Sequence, residues 1–335
     1  MKEFAYIDTL LIDLSFDLER FEITRPIQSI FIGGGTPSLF SPESLERLIS
    51  GIQQRTTLKE HIEITLEANP GTFESTKFKE FNKLGINRLS IGIQSFNDEL
   101  LAKLGRVHSS QEAVKAAEIA HSVGFANFNL DLMYGLPDAK TGDSENDVIT
   151  AIQLQPTHIS LYQLTLEPNT WFYKFPPKLP DDEFIFATQK KSQQTLADNG
   201  YQQYEISAYS QTNHQCRHNV NYWQFGDYLG IGAGAHGKIT SQLPNQITRT
   251  TKAKNPESYL KNPTNNDTRK IIPIDELPLE FVMNHLRLRD GFRLDHYQSM
   301  TGLATSTLQP ALSECQRQGL ITLENSYYFC TDKGW

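Results

Sequence analysis

Cysteine is nearly missing from this chain. The 335 residues hold three, Cys216, Cys315 and Cys330, and none precedes residue 216. So few and so scattered, they exclude a disulfide framework and suit a reducing compartment. Clustered positive charge is also lacking. The formal net charge is −8, with Lys and Arg dispersed along the chain, which argues against nucleic acid as a partner. No long apolar run occurs either. The opening stretch KEFAYIDTLLIDLSFDLERF carries Phe4, Ile7, Leu11, Leu14 and Leu18 on one face, but Asp8, Asp13 and Asp17 interrupt it and no basic flank precedes it. It reads as an amphipathic helix, not a signal peptide or a transmembrane segment, and a cytoplasmic location is expected. Hydrophobic residues at 38% and charged residues at 21% fit a globular protein with one large domain and a small one.

What is present alternates. Strand signals at SIFIGG (29–34), IEITLEA (62–68), RLSIGIQS (88–95), FANFNLDLMYG (125–135) and HISLYQLTL (158–166) are separated by helix signals. Ser41-Pro42 reads as an N-cap and first helical residue, and Gly85 and Gly124 as helix stops. Such alternation predicts βαβ units and a parallel sheet over residues 1–175. Residues 176–245 predict a helix, DDEFIFATQKKSQQTLADNG, and a strand, QYEISAYS. The stretch 246–273, rich in Thr, Asn, Lys and Pro, reads as a linker or surface loop. Residues 274–335 predict three short helices and a β-wing, a winged-helix-like domain whose mixed charge points to packing more than to DNA.

Functional-looking residues gather at the carboxyl ends of the predicted strands: Gly33–Thr36, Glu67 with NPG, Gln94-Ser95-Phe96, and Asp131 with YGLP. In open α/β sheets and barrels that end builds the site. Each motif alone is ordinary turn chemistry; four at successive strands point to one shared site. GGGTPSLF has no lysine and is no P-loop. The formal GxGxxG at Gly232–Gly237 is followed by KITSQLPNQITRTT, which is not helical, so the dinucleotide context fails. A glycine triplet instead exposes backbone groups to a small charged ligand. Glu67 suits a cation or a ribose hydroxyl, Gln94 a ribose, and Asp131 vicinal hydroxyls. Arg106, in LGRVH, offers a fork to a carboxylate. A ligand bearing ammonium, carboxylate and ribose meets all of these, and S-adenosylmethionine (SAM) has the three.

The motifs GGGTPS, EANPGT, NRLSIGIQSF, LGRVH, NLDLMYGLP, HISLYQLTLEPNT, YEIS and CRHNVNYWQFGDYLGIGAGAHG resemble, in order and spacing, the radical SAM family of oxygen-independent coproporphyrinogen III oxidases. The resemblance runs from about residue 3 to residue 334. His218-Asn219-x-x-Tyr222-Trp223 is similar to the HNxxYW signature of the family's heme-chaperone branch. The resemblance implies an incomplete (β/α)6 barrel, with Gly34, Gly35 and Thr36 at the methionine end of SAM. It implies that Arg106 takes the carboxylate and that Glu67, Gln94 and Asp131 contact polar and ribose groups. It also implies heme at His218, Asn219, Tyr222 and Trp223, with His218 as candidate iron ligand; Cys216, Tyr222 and His214 offer further ligand atoms. Buried packing is the ordinary alternative for His218 and Trp223.

One hallmark is missing. The family holds a 4Fe-4S cluster on C-x3-C-x2-C in the loop after the first strand, and this chain has no such motif. It reads as starting at the helix that follows the cluster loop, with the first strand absent and the GGG strand left as a sheet edge. The expectation is a fragment or a mis-assigned start; the other reading is a cluster-less relative that only binds. The resemblance implies a chaperone that passes heme to apo-hemoproteins such as respiratory enzymes, with transient contact to membrane proteins. The alternatives are a coproporphyrinogen III oxidase, and a plain α/β-barrel enzyme using Glu67 and Asp131 as acid and base.

Overall fold

The computed structural model describes residues 3–72, 74–241, 246–265 and 268–335. In chain order the elements begin α1 (Glu3–Arg20), β1 (Ile27–Ile32), α2 (Pro42–Gln53), β2 (Leu58–Ala68), α3 (Ser75–Lys83) and β3 (Arg88–Gln94). There follow α4 (Asp98–Lys103), α5 (Ser110–Ser122), β4 (Phe128–Tyr134), α6 (Asp143–Gln153) and β5 (His158–Gln163). Next come α7 (Trp171–Lys174), α8 (Asp182–Asp198), β6 (Gln202–Glu205), β7 (Ala208–Ser210) and α9 (Arg217–Trp223). Then β8 (His236–Ser241), β9 (Gln246–Thr251), α10 (Pro256–Lys261) and β10 (Thr268–Ile271) lead into the tail. The tail holds α11 (Leu277–His285), β11 (Phe292–Arg293), α12 (Leu294–Thr301), α13 (Gln309–Arg317), β12 (Ile321–Glu324) and β13 (Tyr327–Cys330).

The chain divides into two compact units. One comprises Ser29–Pro42 and Glu63–Gln215; the other comprises Met1–Gln28, Glu43–Ile62 and Cys216–Trp335. Thus α1 and α2, read from the sequence with the barrel, lie in the second of these.

The first unit is built on a seven-stranded sheet of order β1-β2-β3-β4-β5-β7-β6. Strands β2 to β5 pair in parallel, as the strand–helix alternation requires. Strand β1, carrying the glycine triplet at its end, is the terminal strand and only half-buried, whereas β3 is buried throughout. The expected single strand QYEISAYS is a hairpin, β6 against β7 antiparallel. Ser207 N donates to Glu205 Oε1 at 3.1 Å, so a glutamate folds back on its own backbone and turns the chain.

Alternation along the strands sorts two faces. Leu89, Ile91, Ile93, Leu130, Leu132, Ile159 and Leu161 form the apolar face, buried along with Phe78, Phe81, Ala116, Ala117 and Val148 of the helices. The opposite face carries Thr65, Glu67, Arg88, Ser90, Gln94, Asn129, Asp131, His158, Ser160 and Tyr162. Parallel strands covered on both sides read as continuous apolar runs; a polar inner face means that the curled sheet encloses something polar.

The second unit contains an ion cluster that the sequence does not announce. Lys252 Nζ lies 2.6 Å from Asp13 Oδ1 and 2.7 Å from Asp17 Oδ2. All three side chains are at most 1% exposed, so Lys252 anchors α1 through its polar breaks. Removing Lys252 from such a cluster costs about 3–5 kcal/mol, because buried carboxylates are left uncompensated. Tyr259 donates to Asp13 Oδ2 at 2.7 Å and accepts from Gly232 N at 3.0 Å. Ala233 N donates to Tyr6 Oη at 3.2 Å. The GxGxxG loop is therefore clamped by tyrosine hydroxyls and runs into β8, not into a helix.

Residues 246–273, expected as linker or surface loop, carry β9, α10 and β10, with β9 paired antiparallel to both β8 and β10. Residues 242–245 and 266–267 of this stretch lie outside the described residues. The tail has the three helices and the β12–β13 wing read from the sequence, with β11 added to β13. Its core is aromatic: Phe281 meets Phe225, Phe292 and Tyr297 edge-on at 5.7, 5.4 and 5.1 Å.

Candidate functional site

The carboxyl ends of β1 to β5 bring the predicted polar residues together. Gly34 and Gly35 both have left-handed backbone, φ +82° and +65°, with open space where a side chain would stand. That conformation suits glycine and leaves the backbone uncovered by any side chain. Gly34 N donates to Glu67 Oε2 at 3.0 Å. Gly33 explains why Glu67 fits there: a Cβ on Gly33 would come within 2.8 Å of the Glu67 carboxyl carbon and of the Phe31 ring. Thr36 Oγ1 accepts from Asn69 Nδ2 at 3.1 Å, and the Ser38 and Thr72 hydroxyls pair at 2.9 Å. The loop after β1 is thereby tied to the loop after β2.

Gln94 ends β3 with φ +73°, at a register shift between β3 and β4. Such a strained non-glycine residue persists where the surroundings over-determine it. Its Oε1 accepts from Tyr162 Oη at 2.7 Å. Tyr162 is the hub of the site. Burial raises its phenol pKa first; the negative charges of Asp131 and Glu67 add to that, and Arg106 opposes it. The four predicted residues Glu67, Gln94, Arg106 and Asp131 are thus within electrostatic or hydrogen-bonding reach of one tyrosine. Burial raises the Glu67 carboxyl above its ordinary value, against the pull of the Gly34 N–H, with Asp131 adding to the rise. Asp131 is raised by burial too, opposed by the polar groups of Asn129, Ser160 and Ser90 around it and by the Arg88 charge. Arg106 is half-buried beyond α4 and makes no side-chain hydrogen bond or ion pair within the described residues, leaving its fork open to an anionic ligand.

Tyr162, Ser90, Asn129 and His158 escaped the sequence reading. The signal was present in RLSIGIQ, FNLDLMY and HISLYQ, where Arg88, Ser90 and Gln94, Asn129 and Asp131, and His158, Ser160 and Tyr162 alternate with apolar residues inside parallel strands. Close to the site, Asp147 accepts from Ser95 Oγ at 2.6 Å and Phe96 N at 2.7 Å. Burial pushes its carboxyl up to about 6; it fixes the turn after β3.

The second predicted group lies on α9, in the other unit. Cys216, fully buried, precedes the helix as N-cap residue. His218 and Tyr222, four apart, share one helical stripe, and Asn219 and Trp223 the next; all four are half-buried. Tyr222 packs edge-on to Trp223 at 4.7 Å and near Tyr228 at 5.2 Å. The Arg287 guanidinium stands 4.1 Å from the centroid of Trp223, so one ring face is already occupied. The Trp223 indole N–H is buried with no acceptor among the described residues. His214 belongs to the sheet unit, where its Nδ1 bonds the Thr212 carbonyl at 2.9 Å.

The cysteines do not assemble a cluster site. Cys216 caps α9, Cys315 lies in α13 and Cys330 in β13, and none is in a disulfide. Among the described residues no group of three His, Cys, Asp or Glu side chains could hold a metal ion. Nor is any described helix long and apolar enough to cross a membrane.

Comparison with known proteins agrees with this architecture. Residues 17–148 match the radical SAM superfamily, and residues 272–335 match the HemN C-terminal domain. The heme chaperone HemW of Escherichia coli K12 is 44% identical over 330 residues, covering 98% of this chain and 86% of that protein. The heme chaperone HemW of Haemophilus influenzae is 46% identical over 332 residues, with 98% and 86% covered. In three dimensions the chain resembles the coproporphyrinogen III oxidase HemN of E. coli, with TM-score 0.80 and 20% identity. That likeness covers 99% of this chain and 80% of HemN. The curled sheet is the incomplete (β/α)6 barrel of radical SAM proteins, with a small C-terminal domain added. With kinship of this depth running along nearly the whole chain, it belongs to the HemW family of the radical SAM superfamily.

Proposed function

We propose that the chain is a cytoplasmic heme-binding chaperone that passes heme to apo-hemoproteins, and that its curled sheet binds SAM. The observation that carries the chaperone reading is the identity of 44–46%, over nearly the full chain, to proteins named heme chaperones. The HNVNYW segment, His218 to Trp223, supports it as the place for heme, with His218 as candidate iron ligand and Asn219, Tyr222 and Trp223 beside it. Respiratory enzymes, including membrane-bound ones, are the recipients this reading favours. The likeness to HemN concerns the fold, and the oxidase reading gains no further support from it.

The residues of the sheet unit fit SAM. Backbone at Gly34, Gly35 and Thr36 suits the methionine end, Arg106 the carboxylate, Glu67 the ammonium, and Gln94 and Asp131 the ribose. The open fork of Arg106 and the side-chain-free space at Gly34 and Gly35 are the features that favour this assignment. The residues present do not fit a 4Fe-4S cluster, so no reductive cleavage of SAM is assigned to this chain.

Hemin titration tests the chaperone reading. A saturable Soret shift is expected for the wild type, weakened about tenfold or more in His218→Ala, the loss of a ligand bond exceeding that of one charged hydrogen bond. No shift in the wild type would reject heme binding. An equal shift in both proteins would reject His218 as ligand.

A further inference from the structure

Behind Asp131 a chain of buried polar side chains runs down the inner face of the sheet. Asn129 Nδ2 donates to Asp131 Oδ1 at 2.8 Å and to Ser90 Oγ at 2.8 Å. Ser90 Oγ in turn donates to Asp131 Oδ2 at 3.2 Å. On its other side Asn129 Oδ1 lies 2.6 Å from His158 Nδ1 and accepts from Ser160 Oγ at 3.1 Å. His158 Nε2 lies 2.9 Å from Tyr204 Oη. Asn129 and His158 are at most 1% exposed.

With Asp131 ionised, the chemistry leaves one arrangement. An Asn129 amide turned the other way would set its carbonyl oxygen against the Asp131 carboxylate, so Nδ2 must face Asp131 and Oδ1 must face His158. Both amide hydrogens and both lone pairs are then used. His158 Nδ1 therefore carries the proton, and Nε2, bare, accepts from the Tyr204 hydroxyl. Burial, joined by the Arg88 and His214 charges, holds the imidazole neutral well below its ordinary range, so it does not switch tautomer by protonation near neutral pH. Each Asp131 oxygen has accepted one hydrogen bond from behind and keeps acceptor capacity in front. Neither oxygen can rotate away without breaking a bond to Asn129 or Ser90.

We propose that His158 is a positioning residue: through Asn129 it locks the Asp131 carboxylate so that its two oxygens face a vicinal diol together. This rests on the nucleoside reading of the site and deepens it, because it assigns the preference for a ribose over a deoxyribose to a residue that never touches the ligand. The device is tertiary. His158, Asn129 and Ser90 come from β5, β4 and β3, one residue each, in adjacent parallel strands.

The test is calorimetric titration of the whole chain with S-adenosylhomocysteine and with its 2′-deoxy counterpart. The wild type is expected to prefer the ribonucleoside by about tenfold, the worth of a hydrogen bond to a charged group. In Asn129→Leu and His158→Leu that preference falls to within about twofold. In His158→Asn, whose amide places a donor where Nδ1 stood, it is retained. Tyr204→Phe removes one hydroxyl with little change of volume and keeps the test decisive if His158→Leu does not fold; a reduced preference is expected. The ¹⁵N shifts of the His158 ring are expected to show the Nδ1–H tautomer at neutral pH. Wild-type preference in the folded leucine variants or in Tyr204→Phe, or an Nε2–H ring, overturns the proposal while leaving the SAM site standing. A wild type that binds neither nucleoside overturns the SAM reading and this inference with it.

Discussion

Gly33 and Glu67 form a matched pair at the residue scale. The glycine leaves out the one carbon that would collide with the carboxylate, and the next residue, Gly34, bonds that carboxylate through its N–H. Burial raises the Glu67 pKa, so the group is ionised above that raised value and loses its charge as pH falls through it. Affinity for S-adenosylhomocysteine is accordingly expected to fall as pH drops through that raised value, as the acceptor for the ammonium is protonated. Glu67→Gln keeps an oxygen for Gly34 N but carries no charge. It is expected to bind about tenfold more weakly at pH 7 and to lose the pH dependence. A wild-type profile as flat as that of the variant would remove Glu67 from the ammonium contact. The residue types at this site, two carboxylates and an amide at strand ends and an arginine in the loop after α4, were legible in the sequence. Tyr162, which joins them, was hidden because a tyrosine in a strand reads as packing.

Elements decide where those residues point. The strands and most helices of the sheet unit were legible from periodicity and from stops such as Gly85 and Gly124, both in left-handed backbone. The β6–β7 hairpin was not, because the Glu205 side chain folding back on Ser207 N makes its turn; nor were the strands within 246–273, whose Thr, Asn, Lys and Pro read as loop until β9 pairs with β8 and β10. In the tail, α11 buries His285 to 1% exposure, stacked on Phe281 at 3.9 Å, with His296 at 5.1 Å and its own Nε2 unpartnered. Burial lowers its pKa to about 3. The unfolded chain then takes up a proton below about pH 6.5 that the folded chain refuses. Stability is therefore complete above that pH and drops as pH falls toward 3, by about 1.4 kcal/mol per pH unit. Denaturant unfolding of His285→Leu from about pH 7 to pH 4.5 is expected to show a shallower loss than the wild type. Identical slopes would mean that the imidazole is reached by solvent.

For the whole molecule, the shortage of cysteine outweighs every other compositional fact. Radical SAM chemistry needs three thiolates near one another, and this chain has three in all, with none ahead of residue 216. Anaerobic reconstitution of these 335 residues with iron and sulfide is expected to give neither a stable 4Fe-4S spectrum nor 5′-deoxyadenosine from SAM. Either product would show that the cysteines reach one another in a way the structure does not contain. The proposed binding of SAM and of heme does not depend on that outcome, which keeps the chaperone reading separate from any catalytic one.

By itself the sequence determined the alternation of strand and helix, the strand ends where the site is built, the kinds of group gathered there and the missing cluster motif. These are local properties, readable from spacing, turn residues and side-chain chemistry. Tertiary structure alone decided that Lys252 pairs with both Asp13 and Asp17 on α1, that the GxGxxG loop is held by Tyr6 and Tyr259, and that His158 stands behind Asp131. Each of these joins residues far apart along the chain. Their worth comes from burial and from hydrogen-bond distances of 2.6 to 3.2 Å, which exist only once the strands have paired and the helices have packed.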